Sequence, residues 1–417
     1  MHAAGVICEF NPFHSGHGYL LSRMRELVGP DGCVVCVMSG RFVQRGEAAI
    51  ADPYLRAEMA LAGGADLVTE LPFPQSAGSA EHFALAGVRV LTRLGVESLC
   101  FGSESGDLTL LSRAADGVAS PAFGETYAAL CRGGTGTASA YAEALRAVCG
   151  GTFPDHFPSS NDLLGIAYLR ALRQARAELG YAPAPHTVTR LGAGYRKDIL
   201  TDGEYPSATA LRALIREAAC NPAALETIPD GTMPADALTA LLDAIRRNEV
   251  PLDSRRLMEF FHILYRLKSP ADCEGYAEWG GGIAAHICRH ARAEATPEGF
   301  LASLRTKQFT DARLRRALLF GALEVTEQDL RREPAFTTLL AANARGCQFL
   351  RSWRRAHKDD CDFSVVTKPA DAPVCRQREL TERADSLITL CFPAPRPAGD
   401  TMKRSPVILP DRQKGIL

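Results

Sequence analysis

Apolar residues follow two different rhythms along this chain. Up to about residue 215, short unbroken apolar runs alternate with longer stretches of helical period; beyond that point the helical period dominates. The runs Ala3 to Cys8, Cys33 to Met38, Leu67 to Thr69 and Glu97 to Phe101 are short and β-rich, as strands covered on both faces of a parallel sheet must be. Asp52-Pro53 supplies an N-cap and a proline at the first helical position, so a helix runs from there to about Ala62, where Gly63-Gly64 ends it. Residues 77–94 form a long helix. Further helices are predicted near 107–117, 121–132, 139–148 and 161–179, then a strand at His186 to Leu191 and a helix at Ala208 to Ala218. Strands alternating with helices in this way specify an α/β fold with a Rossmann-like parallel sheet.

Asn221-Pro222, Pro229-Asp230-Gly231 and Pro234 then interrupt the chain repeatedly, which puts a domain boundary near residue 221. Residues 1–220 read as the α/β domain and 221–417 as a mainly α-helical one, with helices at 236–247, 253–267, 276–292, 297–305, 311–323 and 334–355. The tail from Pro393 is rich in proline and charge and is expected to be poorly ordered.

Composition narrows the class without choosing a function. A length of 417 residues is long for one domain and comfortable for two. The 47 basic and 48 acidic side chains leave a formal charge of −1, so no global field announces a polyanionic partner. Locally, residues 301 to 360 hold 12 Lys or Arg against 7 Asp or Glu. No apolar stretch approaches the roughly 20 residues needed to span a bilayer, and Met1-His2-Ala3 runs straight into the first strand with no secretory leader. The 13 cysteines include one Cys-x-x-Cys, Cys33 to Cys36, inside an apolar run with no second pair to complete a zinc site. They read as reduced core thiols of a cytosolic protein.

Candidate chemistry concentrates just after the first strand. The segment Ile7-Cys8-Glu9-Phe10-Asn11-Pro12-Phe13-His14-Ser15-Gly16-His17-Gly18-Tyr19-Leu20 passes from strand through a tight turn to a helix start. Such a junction offers an anion free N–H groups and the positive end of a helix dipole. Imidazoles at His14 and His17 can donate to phosphate oxygens and can charge near neutral pH beside an anion. Ser39 to Glu47 follows the second strand at the ligand edge of such a sheet, and its Arg41 and Arg45 make an anion-friendly loop. Gly102 ends the fourth strand and can let a planar group approach the backbone. Asn161 stands at a helix start, either as a cap or against a ligand, and Arg190 is a candidate clamp for phosphate or carboxylate. Ser207 caps the helix that carries Thr209 and Arg212, whose hydroxyl and guanidinium can meet a triphosphate. Arg305, Lys307, Arg313, Arg315 and Arg316 surround Phe309, and Trp353 lies among Arg351, Arg354 and Arg355. Basic helices interleaved with aromatics suit RNA backbone and unstacked bases.

Several of these segments resemble one family. His14-Ser15-Gly16-His17 is similar to the signature of the HIGH nucleotidyltransferase superfamily, in which two histidines contact ATP phosphates, and Ser207 to Arg212 resembles its second phosphate motif. With Gly5 to His17, Met38 to Glu47, Asp66 to Pro72, Phe101 to Glu104 and Ser160 to Gly165, the chain resembles bacterial tRNA(Met) cytidine acetate ligases over about its first 215 residues. Gln308 stands where that family carries a basic residue, and Ala48 where it carries proline.

The resemblance implies a nucleotidyltransferase domain that uses ATP, with Mg²⁺ expected, to turn acetate into acetyl-adenylate. It implies that the acetyl group then passes to N4 of the wobble cytidine of elongator tRNA(Met). By the same resemblance, His14 and His17 are catalytic, and they stabilise the leaving pyrophosphate. Ser207, Thr209 and Arg212 close from the far side, Asn161 and Arg190 hold nucleotide or acetate, and the helical half binds tRNA. A small-molecule adenylyltransferase would share the fold and both motifs, but not nearly 200 further residues with a basic segment. A non-enzymatic RNA-binding protein with a decayed nucleotide site would not need both motifs intact.

Overall fold

The computed structural model describes residues 1–150, 153–154, 156–190, 207–221, 228, 231–306, 309–358 and 362–410. The first half builds β1 (Ala3–Cys8), α1 (Ser15–Val28), β2 (Cys33–Ser39), a two-strand hairpin of β3 (Phe42–Val43) and β4 (Glu47–Ala48), α2 (Pro53–Ala62), β5 (Leu67–Leu71), α3 (Ala80–Arg93) and β6 (Ser98–Ser103). Helices α4 (Leu108–Ala119), α5 (Pro121–Arg132), α6 (Thr137–Cys149) and α7 (Ser160–Leu179) lead to β7 (Ala184–Thr189), and α8 (Ala208–Cys220) follows. Then come α9 (Ala235–Arg246), α10 (Arg255–Leu267), α11 (Ile283–Ala293), α12 (Pro297–Ser303), α13 (Asp311–Leu323) and α14 (Glu327–Arg331). The chain ends with β8 (Phe336–Ala342), α15 (Ala344–Ala356), β9 (Ser364–Val366), α16 (Arg376–Ile388) and β10 (Val407–Ile408).

Topology decides where a ligand can go. The central sheet runs β10-β8-β5-β2-β1-β6-β7, with β9 on β8, and β1, β2, β5, β6 and β7 are mutually parallel. From β1 the chain winds outward through β2 to β5, then returns to the other side of β1 as β6. That reversal opens a crevice beyond the carboxyl ends of β1 and β6, where doubly wound sheets bind ligands. β1 is buried along its whole length because both faces are covered. Ala3 and Ile7 face a core with α3, α4 and α7, while Ala4, Val6 and Cys8 face one with α1, α2, α8 and α9. A third core unites α10 to α14 with α16.

Three expectations change. The helix predicted over 334–355 is a strand followed by a helix: Phe336 to Ala342 is buried throughout and pairs antiparallel with β5, and α15 begins only at Ala344. The sheet therefore draws strands from both sides of position 221. The described part of the tail from Pro393 is folded onto the sheet, where β10 pairs with β8 and Thr401 bonds Arg41. The helix expected over 276–292 begins at Ile283, because Gly281 and Gly282 take φ values of 73° and 86°. The eleven described cysteines are all unpaired thiols. No described helix is long and apolar enough to cross a membrane.

Candidate active site

Two loops must be held together before any ligand arrives, and one buried arginine does it. Arg56 on α2 donates to the carbonyls of Glu9 (2.6 Å), Ser39 (3.0 Å) and Ala51 (3.0 Å), and also to that of Gly40. It thereby ties the chain after β1 to the chain after β2. Burial pulls its pKa down to about 10, with Asp52 and Glu9 opposing, so it stays charged at neutral pH. The carboxamide oxygen of Asn11 accepts from Ile50 N at 2.7 Å, and Phe10 takes a φ of 44°, a left-handed conformation that a bulky residue holds only under constraint.

The two histidines are locked by the helix they introduce. His14 is the N-cap of α1, and its Nδ1 accepts from Gly16 N at 3.1 Å; Nδ1 of His17 accepts from His14 N at 3.2 Å. The rings stack with centroids 3.8 Å apart. An imidazole accepting at Nδ1 carries its proton on Nε2, so each ring has a single Nε2–H to offer a ligand. Burial, then Arg190, lowers the His14 pKa to about 4; burial, then His14 and Arg190, holds His17 well below its ordinary value. The two rings are thus a pair of neutral donors at neutral pH. The amides of the first turn of α1 are engaged as well. Ser15 N donates to Thr232 O at 2.8 Å, Gly16 N to the His14 ring, and His17 N and Gly18 N to His14 O at 2.8 and 3.1 Å. An anion here meets imidazole N–H groups and a helix dipole.

The facing wall is cationic. Ser207 caps α8 by accepting from Ala210 N at 3.2 Å. Arg212 donates to Asn11 O at 2.8 Å and to the Thr209 hydroxyl at 3.0 Å, joining the second motif to the first. Arg190 lies 3.7 Å from Glu104, whose carboxylate also accepts from the Asn161 side chain at 2.6 Å. Asn161 sits inside α7, and the cap is Ser159, boxed with Asp162. At Gly102, which lines the cavity, an added Cβ would lie 3.2 Å from the Arg190 stem, so the glycine also makes room for that arginine.

These groups line one cavity of about 440 Å³, within the usual size of small-molecule sites. Ile7, Cys8, Glu9, Phe10, Asn11, His14, Gly16, His17, Tyr19, Leu20, Gly102, Asn161, Arg190, Ser207, Thr209 and Arg212 all reach it. Pro12, Phe13, Ser15 and Gly18 do not. Phe13 is buried beneath the turn against Gly63, and the Ser15 hydroxyl donates to Gly231 O. Sequence patterns missed the apolar wall of Phe83, Leu164 and Tyr168, whose spacing says only that they are core. Val43, Gln44 and Glu47, from the loop expected at the ligand edge, also reach the cavity. No group of three metal-ligating side chains occurs among the described residues.

The basic candidates divide. Arg41 is not at the surface: it is 5% exposed and bonds Glu70 (3.0 Å), Asp385 (2.8 Å) and Thr401. Arg45 is exposed and lines the cavity. The turn at Gly46 (φ 70°) sits on α13, where an added Cβ would come 2.7 Å from Arg316 N; Glu47 pairs with Arg315. Arg316 and Arg313 pair with Glu278 at 2.6 and 3.3 Å, and the more exposed Arg305 lies 3.3 Å from Asp311. Lys307 and Gln308 lie outside the described residues. Phe309 and Trp353 are buried, Trp353 donating to Arg93 O at 2.8 Å, so neither is an open platform for a base.

A family model described as HIGH nucleotidyl transferase matches residues 1–402. The tRNA(Met) cytidine acetate ligase of Syntrophotalea carbinolica is 37% identical over 86% of this chain and 84% of that protein. The protein of the same name from Acetivibrio thermocellus is 31% identical over 98% of this chain and 100% of its own. Two crystal structures of Thermotoga maritima TmcAL, one apo and one bound with alpha-thio ATP, superpose with TM-scores of 0.86 and 0.83. Each is 29% identical and covers 99% of this chain and 100% of its own.

Proposed function

This chain belongs to the HIGH nucleotidyl transferase family, and from that premise we propose that it is an ATP-dependent ligase that acetylates the wobble cytidine of elongator tRNA(Met). Acetate attacks the α-phosphate of ATP, pyrophosphate leaves, and the N4 amine of the cytidine takes the acetyl group and releases AMP. The observation that carries this reading is that His14 and His17, both fixed through Nδ1 so that Nε2–H is the donor left, line one cavity with Arg190 and Arg212. Charge forming on the departing pyrophosphate meets donors already aimed, at no cost of reorganisation. The two imidazoles act on the phosphates, Ser207, Thr209 and Arg212 close from the α8 side, and Asn161 and Arg190 hold nucleotide or acetate. No covalent enzyme intermediate is required, since positioning and charge stabilisation suffice for in-line adenylyl transfer. Magnesium would arrive on the triphosphate and take its remaining oxygens from water, as it commonly does.

The tRNA lies on the side of α13, with Arg305, Arg313 and Arg315 toward its backbone. The β3–β4 hairpin supports that placement, because it lines the cavity with Val43 to Glu47 and rests on α13 at Gly46. We assign catalysis mainly to residues 1–220, tRNA contact mainly to 221–417, and the activity to the cytoplasm. The test is acetate-dependent pyrophosphate release from ATP, followed by an assay for N4-acetylcytidine in tRNA from a strain lacking the protein. Loss of the modified base supports the reading; its persistence, or pyrophosphate release that ignores acetate, refutes it.

A further inference from the structure

Acetyl transfer to an amine needs somewhere for a proton to go. Of the described side chains lining the cavity, only His14, His17, Glu9 and Glu47 have ordinary pKa values below 7. Both imidazoles already accept backbone N–H groups at Nδ1 and present a proton, not a lone pair, at Nε2. Glu47 is ion-paired with Arg315 and held toward α13. Glu9 differs from all three. Its Oε1 accepts from Gln44 N at 2.8 Å and its carbonyl is gripped by Arg56 at 2.6 Å, so the side chain is rooted at both ends. Its Oε2 has no hydrogen-bond partner and no ion pair among the described residues. Glu9 stands between the histidine turn, which follows it in the chain, and the hairpin that carries Gln44. The back of that hairpin rests on α13.

The geometry points to Glu9 as the proton acceptor for the cytidine amine in the acetyl-transfer step, an assignment that rests on the ligase reading above. In that step N4 attacks the carbonyl carbon of acetyl-adenylate. The N–C bond forms, the C–O bond to phosphate breaks, and AMP leaves with the bonding pair. The N4 proton passes to Oε2 of Glu9 and from there to water. Nothing in adenylate formation calls for this base, because acetate enters as an anion. A base is therefore needed at Glu9 in the second half-reaction and not in the first.

Glu9→Gln tests this cleanly, because the amide oxygen can still accept from Gln44 N and keep the hairpin anchored. Acetate-dependent exchange of pyrophosphate into ATP reads any effect on the nucleotide cavity that Glu9 lines, and single-turnover transfer from acetyl-adenylate to tRNA should fall about 10²-fold beyond whatever exchange loses. Glu9→Asp, which keeps a carboxylate but draws it back, should lose less of transfer relative to exchange than Glu9→Gln does. Loss of both half-reactions in step, or of exchange alone, would place Glu9 in nucleotide handling and overturn the assignment. So would transfer that survives Glu9→Gln but not Glu47→Gln. If the parent protein itself shows no acetate-dependent exchange, the ligase reading fails first, and that outcome is distinct from either.

Discussion

The histidine turn and helix α13 flank the same hairpin, and they hold their polar groups in opposite ways. In the turn, every first-turn amide of α1 and both Nδ1 atoms are satisfied internally, so one fixed donor remains on each ring. On α13, Arg313, Arg315 and Arg316 are long side chains held by carboxylates at the surface or half-buried. A small ligand with a defined transition state rewards rigidity. A polyanionic backbone can be met by side chains that exchange one carboxylate for another, and such contacts are screened by salt. The difference teaches that residue type alone does not mark the site: what matters is how many of a group's bonding options the fold has already used.

Arg41 gives the largest effect and the sharpest contrast with its loop neighbour Arg45. Arg41→Ala would strand Glu70 and Asp385 in the core, costing on the order of 3–5 kcal/mol in urea unfolding. Arg45→Ala should leave stability within about 0.5 kcal/mol and change only ligand affinity. Equal destabilisation would erase the distinction between the two arginines. Next in size, His14→Ala should slow acetate-dependent pyrophosphate release by about 10²-fold, as loss of a charge-stabilising donor does. Near-normal turnover would remove the histidine turn from the chemistry.

Acidity tests the turn without a ligand. In the fold His14 titrates at about 4, while in the unfolded chain it takes its proton near 6.5. Between those values the unfolded state binds more protons, so stability declines as pH drops through the window and the loss is complete below about 4. By pH 5 this histidine alone should cost roughly 2 kcal/mol. His14→Gln should therefore lose less stability than the parent between pH 7 and pH 5, and parallel curves would contradict the neutral-donor description. The smallest effect belongs to the far side of the hairpin. Arg305→Ala should reduce the slope of log affinity for tRNA against log salt by about 1 while leaving pyrophosphate release unchanged. A fall in both activities would mean that the two regions do not divide the work.

What the chain revealed in advance was local. β1, the two histidines and the cap at Ser207 are set by neighbours a few residues away, so their pattern is visible in the sequence. Arg56 was invisible, because nothing in an ordinary helix announces that a guanidinium will gather carbonyls from two loops. Arg41 was misjudged for the same reason, its partner Asp385 lying 344 positions away. Phe336 to Ala342 mixes Thr-Thr-Leu-Leu with Ala-Ala, a composition that fits a buried helix or a buried strand. Only the open edge of β5 decides between them. The first-turn amides of α1 show the same limit at the site: a free donor in sequence can already be committed in space.

The most direct measurement is a crystal structure of this protein with a non-hydrolysable ATP analogue. The account predicts triphosphate oxygens within about 3.2 Å of Nε2 of both His14 and His17, with both Nδ1 atoms still bound to backbone N–H. Phosphates lodged elsewhere, or rings turned to present Nδ1, would contradict it.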